Sequence, residues 1–400
     1  MSMDNFVNYL ESFQKKENID YSDFNQIITT VNAHYYLNNY QRYFHHKPYK
    51  YKYPLPLHFS AENNQLLTSN VIKPVVRQKQ TIDFSIESLQ DLINLIDKYP
   101  YNVEIEYNID LQNLHKIRGE LVEFNNMVGL SKLKTSVLNQ LIYFIQEPVL
   151  CDKMKGFKHT VLAGPPGTGK TEIARILGTM YSKLGILSEK NIFKKVTRSD
   201  LIAGFLGQTA IKTKDLIDSC LGGCLFIDEA YSLGSVQNND SFAKECIDTL
   251  CEALSNHKEN LMVIIAGYEN ELNDCFFSMN PGLVSRFIWK FTIDKYSPSE
   301  LQHIFHKKIK DIKWQIDISI TTKELDQWFE KNVEYFPHYG RDIEQLISHI
   351  KVLHARRIYG KPIELCKIIT IEDMNRGLQD YKDNSKQKNK LNEGMFGLYV

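Results

Sequence analysis

In this 400-residue chain the residue types best suited to chemistry fall in two short runs. The first is Gly164-Pro165-Pro166-Gly167-Thr168-Gly169-Lys170-Thr171. It follows the apolar run Val161-Leu162-Ala163 and precedes Glu172-Ile173-Ala174-Arg175-Ile176-Leu177, which has helical spacing. Strand, glycine loop and helix in that order make G-x-x-x-x-G-K-T a phosphate cradle. Gly164, Gly167 and Gly169 let backbone N–H groups approach phosphate oxygens, and the positive end of the next helix deepens the anion site. Lys170 is placed to reach the terminal phosphates, and the Thr171 hydroxyl to ligate Mg²⁺. The second run, Cys224-Leu225-Phe226-Ile227-Asp228-Glu229-Ala230, is an apolar strand ending in two carboxylates. Asp228 is expected to hold Mg²⁺, directly or through water, and Glu229 to orient and polarise an attacking water. Each run has a plainer reading, a glycine-rich turn with a stray lysine or an acidic turn after a strand. Their occurrence together in matching contexts favours a nucleotide site.

These residues need a rigid support. A strand apolar on both faces implies a parallel sheet covered by helices, and such sheets bind ligands at their C-terminal edge. The pattern predicts five strands, at Val161–Ala163, Asn191–Thr197, Cys224–Ile227, Leu261–Ala266 and Ile288–Ile293, within an α/β domain over 119–295. From Ser297 the apolar period becomes helical, through Leu301, Ile304, Phe305 and Ile309 to Ile343, Leu346, Ile347 and Ile350, which predicts a separate all-helical domain over 296–380. Residues 381–400 are rich in Lys and Asn and are expected to form a flexible tail with an apolar tip, Met395–Val400. Residues 1–118 read as a small α+β region. It holds helices on Phe6-Tyr9-Leu10-Phe13 and on Phe24-Ile27-Ile28-Val31-Tyr35, and a short strand at Ile82–Phe84. A helix capped by Ser85 follows, then an alternating strand over Val103, Ile105, Tyr107 and Ile109. No chemistry is legible there.

Composition narrows the partners. Lys plus Arg number 48 and Asp plus Glu 48, so no global field draws the chain to nucleic acid or an anionic membrane. The longest apolar runs have strand length, and the start of the chain reads as a polar helix, so neither a membrane span nor a signal peptide is expected. Seven cysteines occur without a C-x-x-C pair. Cys224, Cys246 and Cys251 sit at apolar positions and read as buried hydrophobes, which fits a reducing, cytoplasmic compartment. His45 and His46 lack partners at metal-ligand spacing. In Lys47-Pro48-Tyr49-Lys50-Tyr51-Lys52-Tyr53 the alternating lysines and tyrosines could stack bases, although an exposed strand or proline-punctuated connector is the reading we favour.

With both nucleotide motifs and a helical domain in place, the chain resembles the AAA+ ATPases. Within them it is similar to the group holding the red-type Rubisco activase CbbX and the sporulation protein SpoVK. The matching residues begin at Val128-Gly129-Leu130 and include the two runs above. They continue with Val196-Thr197-Arg198-Ser199-Asp200-Leu201, Gly207-Gln208-Thr209-Ala210-Ile211-Lys212-Thr213, Ala266-Gly267-Tyr268 and Asn280-Pro281-Gly282-Leu283-Val284-Ser285-Arg286-Phe287. Residues 1–118 lie outside the resemblance. It implies ATP as substrate and a helical lid, with Val128 and Gly129 near the adenine. Arg286 would be the finger that reaches a neighbouring subunit's γ-phosphate, a role suited to a guanidinium that never loses its charge; the plainer role is a helix-end cap. Arg341, in Gly340-Arg341-Asp342, would touch nucleotide from the lid. Tyr268 stands at the sensor-1 position, where many AAA+ proteins carry Asn, Ser or Thr. Phe205-Leu206-Gly207 matches the aromatic pore loop of rings that thread polypeptides, with core packing of Phe205 as the alternative.

The expected function is therefore an ATP-hydrolysing remodeller, a ring and by resemblance a homo-hexamer, that pulls a protein substrate through its pore. Two other readings stand beside it. A nucleic-acid motor or loader has the lysine–tyrosine segment in its favour and the neutral net charge against it. An ATP-gated scaffold without turnover is disfavoured by the presence of both Glu229 and Arg286.

Overall fold

The computed structural model describes residues 78–396 apart from 151–155, 186, 188–191, 206 and 235–239, with the side chains of 147–150 and 385–396 left aside. The helices expected before residue 78, the lysine–tyrosine segment, His45, His46, Leu206 and the last four residues lie outside it. Three strands, β3 (Thr160–Ala163), β5 (Cys224–Ile227) and β6 (Met262–Gly267), are buried at every position. Their unbroken apolar runs therefore place them at the centre of the sheet, with β4 (Phe193–Val196) and β7 (Trp289–Thr292) at its edges. The sheet has five strands in the order β4-β5-β6-β3-β7, and every pair is parallel. Ala163 pairs with Gly267 and Ile227 with Ile265, so the residues that follow each strand emerge along one edge.

Side chains alternate across the sheet and build two cores. Leu162, Phe226, Ile264 and Ala266 meet the apolar face of helix α4 (Lys170–Lys183). Val161, Ala163, Leu225, Ile227, Val263 and Ile265 meet helix α6 (Ser241–Asn256) on the other side. Helix α5 (Thr209–Asp218) packs beside α6. The first core also takes in helices α1 (Leu89–Lys98), α2 (Leu111–Asn125) and α3 (Ser131–Leu150) through Ile96, Ile117, Leu121, Phe124 and Val137, all fully buried. The boundary expected near 118 thus falls inside α2, and the α+β unit from residue 78 on shares the core of the five-stranded sheet. Ion pairs Lys183–Glu120 and Arg175–Glu123 bind α2 to α4.

Within that unit the strand predicted at Ile82–Phe84 lies earlier, as β1 (Gln78–Gln80), paired parallel with β2 (Ile105–Tyr107). Ile82 takes its hydrogen bonds from a side chain instead of a neighbouring strand. Its N–H donates to Asn108 Oδ1 at 2.8 Å, and Asn108 Nδ2 donates to the Ile82 carbonyl at 3.0 Å. The cap of α1 is Ser88 rather than Ser85, because Ser88 and Asp91 satisfy each other's backbone N–H groups in a capping box.

Past Ser297 the helices α7 (Pro298–Asp311), α8 (Thr322–Asn332), α9 (Gly340–Ile358) and α10 (Ile371–Phe396) enclose a third core that includes Leu301, Phe305, Phe329, Leu346, Ile350 and Leu378. This region is not purely helical, since β8 (Gln315–Ile316) pairs with β9 (Ile368–Ile369). Nor does order end at 381. The backbone of α10 continues to Phe396, because Tyr381 is anchored in the third core and no proline interrupts the lysine-rich stretch beyond it.

Candidate functional site

The loop between β3 and α4 follows from its glycines. Gly167 has φ +73°, and a Cβ there would lie 1.8 Å from the His338 carbonyl oxygen. That closeness lets Gly340 N–H at the start of α9 donate to the Gly167 carbonyl at 3.1 Å. Gly169, at φ +86°, ends the loop and begins α4 with no side-chain cap, which leaves the positive end of that helix to an anion. Thr168 folds inward and donates to the Pro165 carbonyl at 2.8 Å. Lys170 Nζ donates to the carbonyls of Gly164 and Pro165, at 2.8 and 2.7 Å. Burial pushes its ammonium below the ordinary lysine value and Arg341 adds to this, while Asp228 and Glu229 pull the other way.

Asp228 and Glu229 follow β5 at the same edge. Thr171 Oγ1 donates to Asp228 Oδ2 at 3.0 Å, an all-oxygen pair of the kind a small hard cation takes. Glu229 has φ +52°, a left-handed conformation costing a non-glycine residue about 1–2 kcal/mol. Such strain collects where function demands a particular orientation.

Together these groups line a cavity of about 620 Å³. Pro166 to Thr171, Asp228, Glu229 and Tyr268 form its floor. Met127, Val128, Tyr296 and Ile304 give it apolar walls, and Lys307, Lys308, Asp311, Arg341 and Glu344 close it from the helical side. Gly164 and Pro165 act from behind, through the carbonyls that hold Lys170. Gly129, at φ +64°, turns the chain against Glu300 instead of lining the space. Tyr268 stacks on Tyr231 with centroids 5.5 Å apart, and its ring lies 5.2 Å from Lys170 Nζ. Burial, with help from Glu229, raises the Tyr231 hydroxyl to about 12, so it keeps its proton.

The predicted arginine finger and pore loop lie elsewhere. Arg286 does not line the cavity; its Nε donates to Ser255 Oγ at 2.6 Å and its Nη1 to the Gly282 carbonyl at 2.7 Å. Within one chain it does what the plainer reading assigned, tying down its own short helix Gly282–Arg286. Phe205 is 73% exposed, which removes core packing as its role, and it sits between Gly204 and Gly207, both also exposed.

Sequence reasoning passed over Lys195, Tyr231, Tyr296 and the lid residues Lys307, Lys308, Asp311 and Glu344. Lys195 left one signal, a lysine at the penultimate position of a short strand beside β5. The lid residues left none, because α7 carries Lys307, Lys308 and Asp311, and α9 carries Glu344, at helix positions of ordinary appearance.

The profile of the ATPase family associated with various cellular activities (AAA) matches residues 160–294, which span the phosphate loop, Asp228, Glu229 and Arg286. The chain is 37% identical over 302 residues to the putative cfxQ-like protein R730 of Acanthamoeba polyphaga mimivirus, covering 75% of this chain and 73% of that one. It belongs to the AAA ATPase family. Similarity to stage V sporulation protein K of Bacillus subtilis, 36% identical over 294 residues, covers 70% of this chain and 90% of that protein. The ESX-3 secretion system protein EccA3 of Mycobacterium leprae is 41% identical over 201 residues, but this chain spans only 30% of its length. The AAA ATPase assignment makes the chain an ATP-hydrolysing enzyme.

Proposed function

We propose that this AAA ATPase works as a homo-hexameric ring that spends ATP hydrolysis on pulling a protein substrate through a central pore, with Phe205 as the gripping side chain. The exposure of Phe205 carries this reading. A large aromatic held in water between two glycines gains nothing for stability, whereas at a pore it offers adaptable apolar contact to any passing polypeptide. In this reading Lys170 and the backbone N–H groups of Gly167, Thr168 and Gly169 bind the phosphates, with Gly164, Pro165 and Pro166 shaping the loop and the Gly164 and Pro165 carbonyls holding Lys170. Thr171 and Asp228 hold Mg²⁺, which supplies charge neutralisation at the phosphates. Glu229 orients the attacking water. Val128, Tyr268 and Arg341 position the nucleotide, and Gly129 makes the turn that follows Val128. Arg286 completes a neighbouring subunit's site once it releases Ser255 and the Gly282 carbonyl.

A cytoplasmic location is part of the proposal, supported by the full burial of Cys224 and Cys246 as free thiols. Among the described residues no helix is long and apolar enough to cross a membrane.

The test is Phe205→Ala in the full chain. Nucleotide binding and basal ATPase should remain within about twofold of wild type, since an exposed side chain contributes little to folding. Stimulation of ATPase by unfolded model polypeptides, and their extraction from a fluorescent fusion, should disappear. Full retention of both would remove Phe205 from the mechanism.

A further inference from the structure

One carboxylate oxygen at the site is shared. Asp228 Oδ2 accepts from Thr171 Oγ1 at 3.0 Å and from Lys195 Nζ at 2.6 Å. The first partner belongs to the phosphate loop; the second comes from edge strand β4, where Lys195 pairs in register with Phe226. We propose that Lys195 is a resident counter-cation that competes with Mg²⁺ for Asp228 and so sets the Mg²⁺ concentration at which the site loads. This rests on the ATPase reading given above.

Lone-pair geometry comes first. A carboxylate oxygen presents two lone-pair directions, and Thr171 and Lys195 use both. A cation drawn to Thr171 and Asp228 therefore meets an ammonium already at the carboxylate oxygen nearest Thr171. Charge is the second argument. An ammonium and a divalent ion in contact with one oxygen repel each other across a few ångströms, and Lys170 and Arg341 already stand nearby. The third is room to retreat. The Lys195 side chain is 45% exposed, and a second cavity of about 630 Å³, bounded by Lys195, Arg198, Ser199, Asp228 and Glu229, opens beside it. Its flexible stem can swing there without disturbing a sheet hydrogen bond, because the strand is held by backbone groups. Arg198 cannot play the same part, since Ser232 O and Asp240 hold its guanidinium. While Mg²⁺ is scarce, the lysine holds the Asp228 carboxylate in place beside Thr171.

The experiment measures affinity for a fluorescent ADP analogue against free Mg²⁺, in the full chain, for wild type, Lys195→Met and Lys195→Arg. Lys195→Met should lower the half-saturating Mg²⁺ about fivefold, the scale of a half-exposed ion pair, and leave Mg²⁺-free nucleotide affinity unchanged. Lys195→Arg keeps the charge and should track wild type. A Met variant that needs as much Mg²⁺ as wild type, or more, overturns the inference; Lys195→Gln gives the same reading if the Met variant does not fold. Loss of thermal stability without a Mg²⁺ shift would make the pair structural and would also overturn it. A wild type that binds no nucleotide at any Mg²⁺ concentration would bring down the site reading itself, a distinct failure.

Discussion

His159 is a residue that motif reading had no reason to notice. It precedes β3, is fully buried, accepts from Val263 N–H through Nδ1 at 3.2 Å and donates through Nε2 to the Leu254 carbonyl at 3.1 Å. One neutral imidazole therefore ties β6 to the end of α6. Burial lowers its pKa from 6.5 to about 4; the Leu254 bond opposes this, and the charges of Lys158 and Arg286 reinforce it. The sign follows. An unfolded chain takes up a proton near 6.5 and the folded one only near 4, so the contribution of His159 is whole above pH 6.5 and drains away as pH falls towards 4. It amounts to about 3 kcal/mol at most. Urea unfolding of wild type and His159→Gln at several pH values between 4 and 7 checks it. The variant should lose part of the pH slope, whatever its absolute stability, and an identical slope would show that His159 does not titrate as described.

Among the elements, α2 decides where the ATPase unit begins. Its apolar face, ending in Phe124, lies in the same core as α3, α4 and the inner face of the sheet. Phe124→Ala should cost about 3–5 kcal/mol, the usual range for a buried phenylalanine. Because the core is common, the loss should lower the unfolding midpoint of the nucleotide-binding unit itself, read as the ADP-dependent transition in calorimetry. If the ADP-sensitive transition held its midpoint while another moved, residues 78–125 would be a separate domain after all. The lid has its own anchor. Arg357 grips both oxygens of Asp373 through Nε and Nη2, at 2.7 and 2.8 Å, with His354 Nδ1 3.0 Å from the same carboxylate. Burial opposes ionisation of Asp373, yet Arg357, Thr370 N–H and His354 outweigh it and hold its pKa near 2.

At the scale of the whole molecule, a ring would make the chain's catalytic set incomplete alone. Arg286 bonds to its own chain at Ser255 and Gly282, away from its own cavity. On the proposed role in a neighbour's site, Arg286→Ala and Glu229→Gln should each cut hydrolysis by about 10²–10⁴ while ADP still binds. Mixing the two variants should recover part of the activity, because a Glu229→Gln subunit can lend its arginine to an Arg286→Ala neighbour. Phosphate release across a mixing series reads this, and a flat series would end the in-trans role. What the sequence determined by itself was local: the cradle from Gly164 to Thr171, the paired carboxylates Asp228 and Glu229, the five-strand order of events along the chain and the helical period of the lid. These are legible because each depends on neighbours within a few residues, where spacing fixes conformation. The tertiary structure decided the rest. It brought Lys195 to Asp228, stacked Tyr231 on Tyr268, seated the turn before Arg341 on Gly167, exposed Phe205 and merged α2 into the sheet's core. All but the exposure of Phe205 join residues far apart in the chain, and their meeting depends on strand order and helix packing, which no local spacing records.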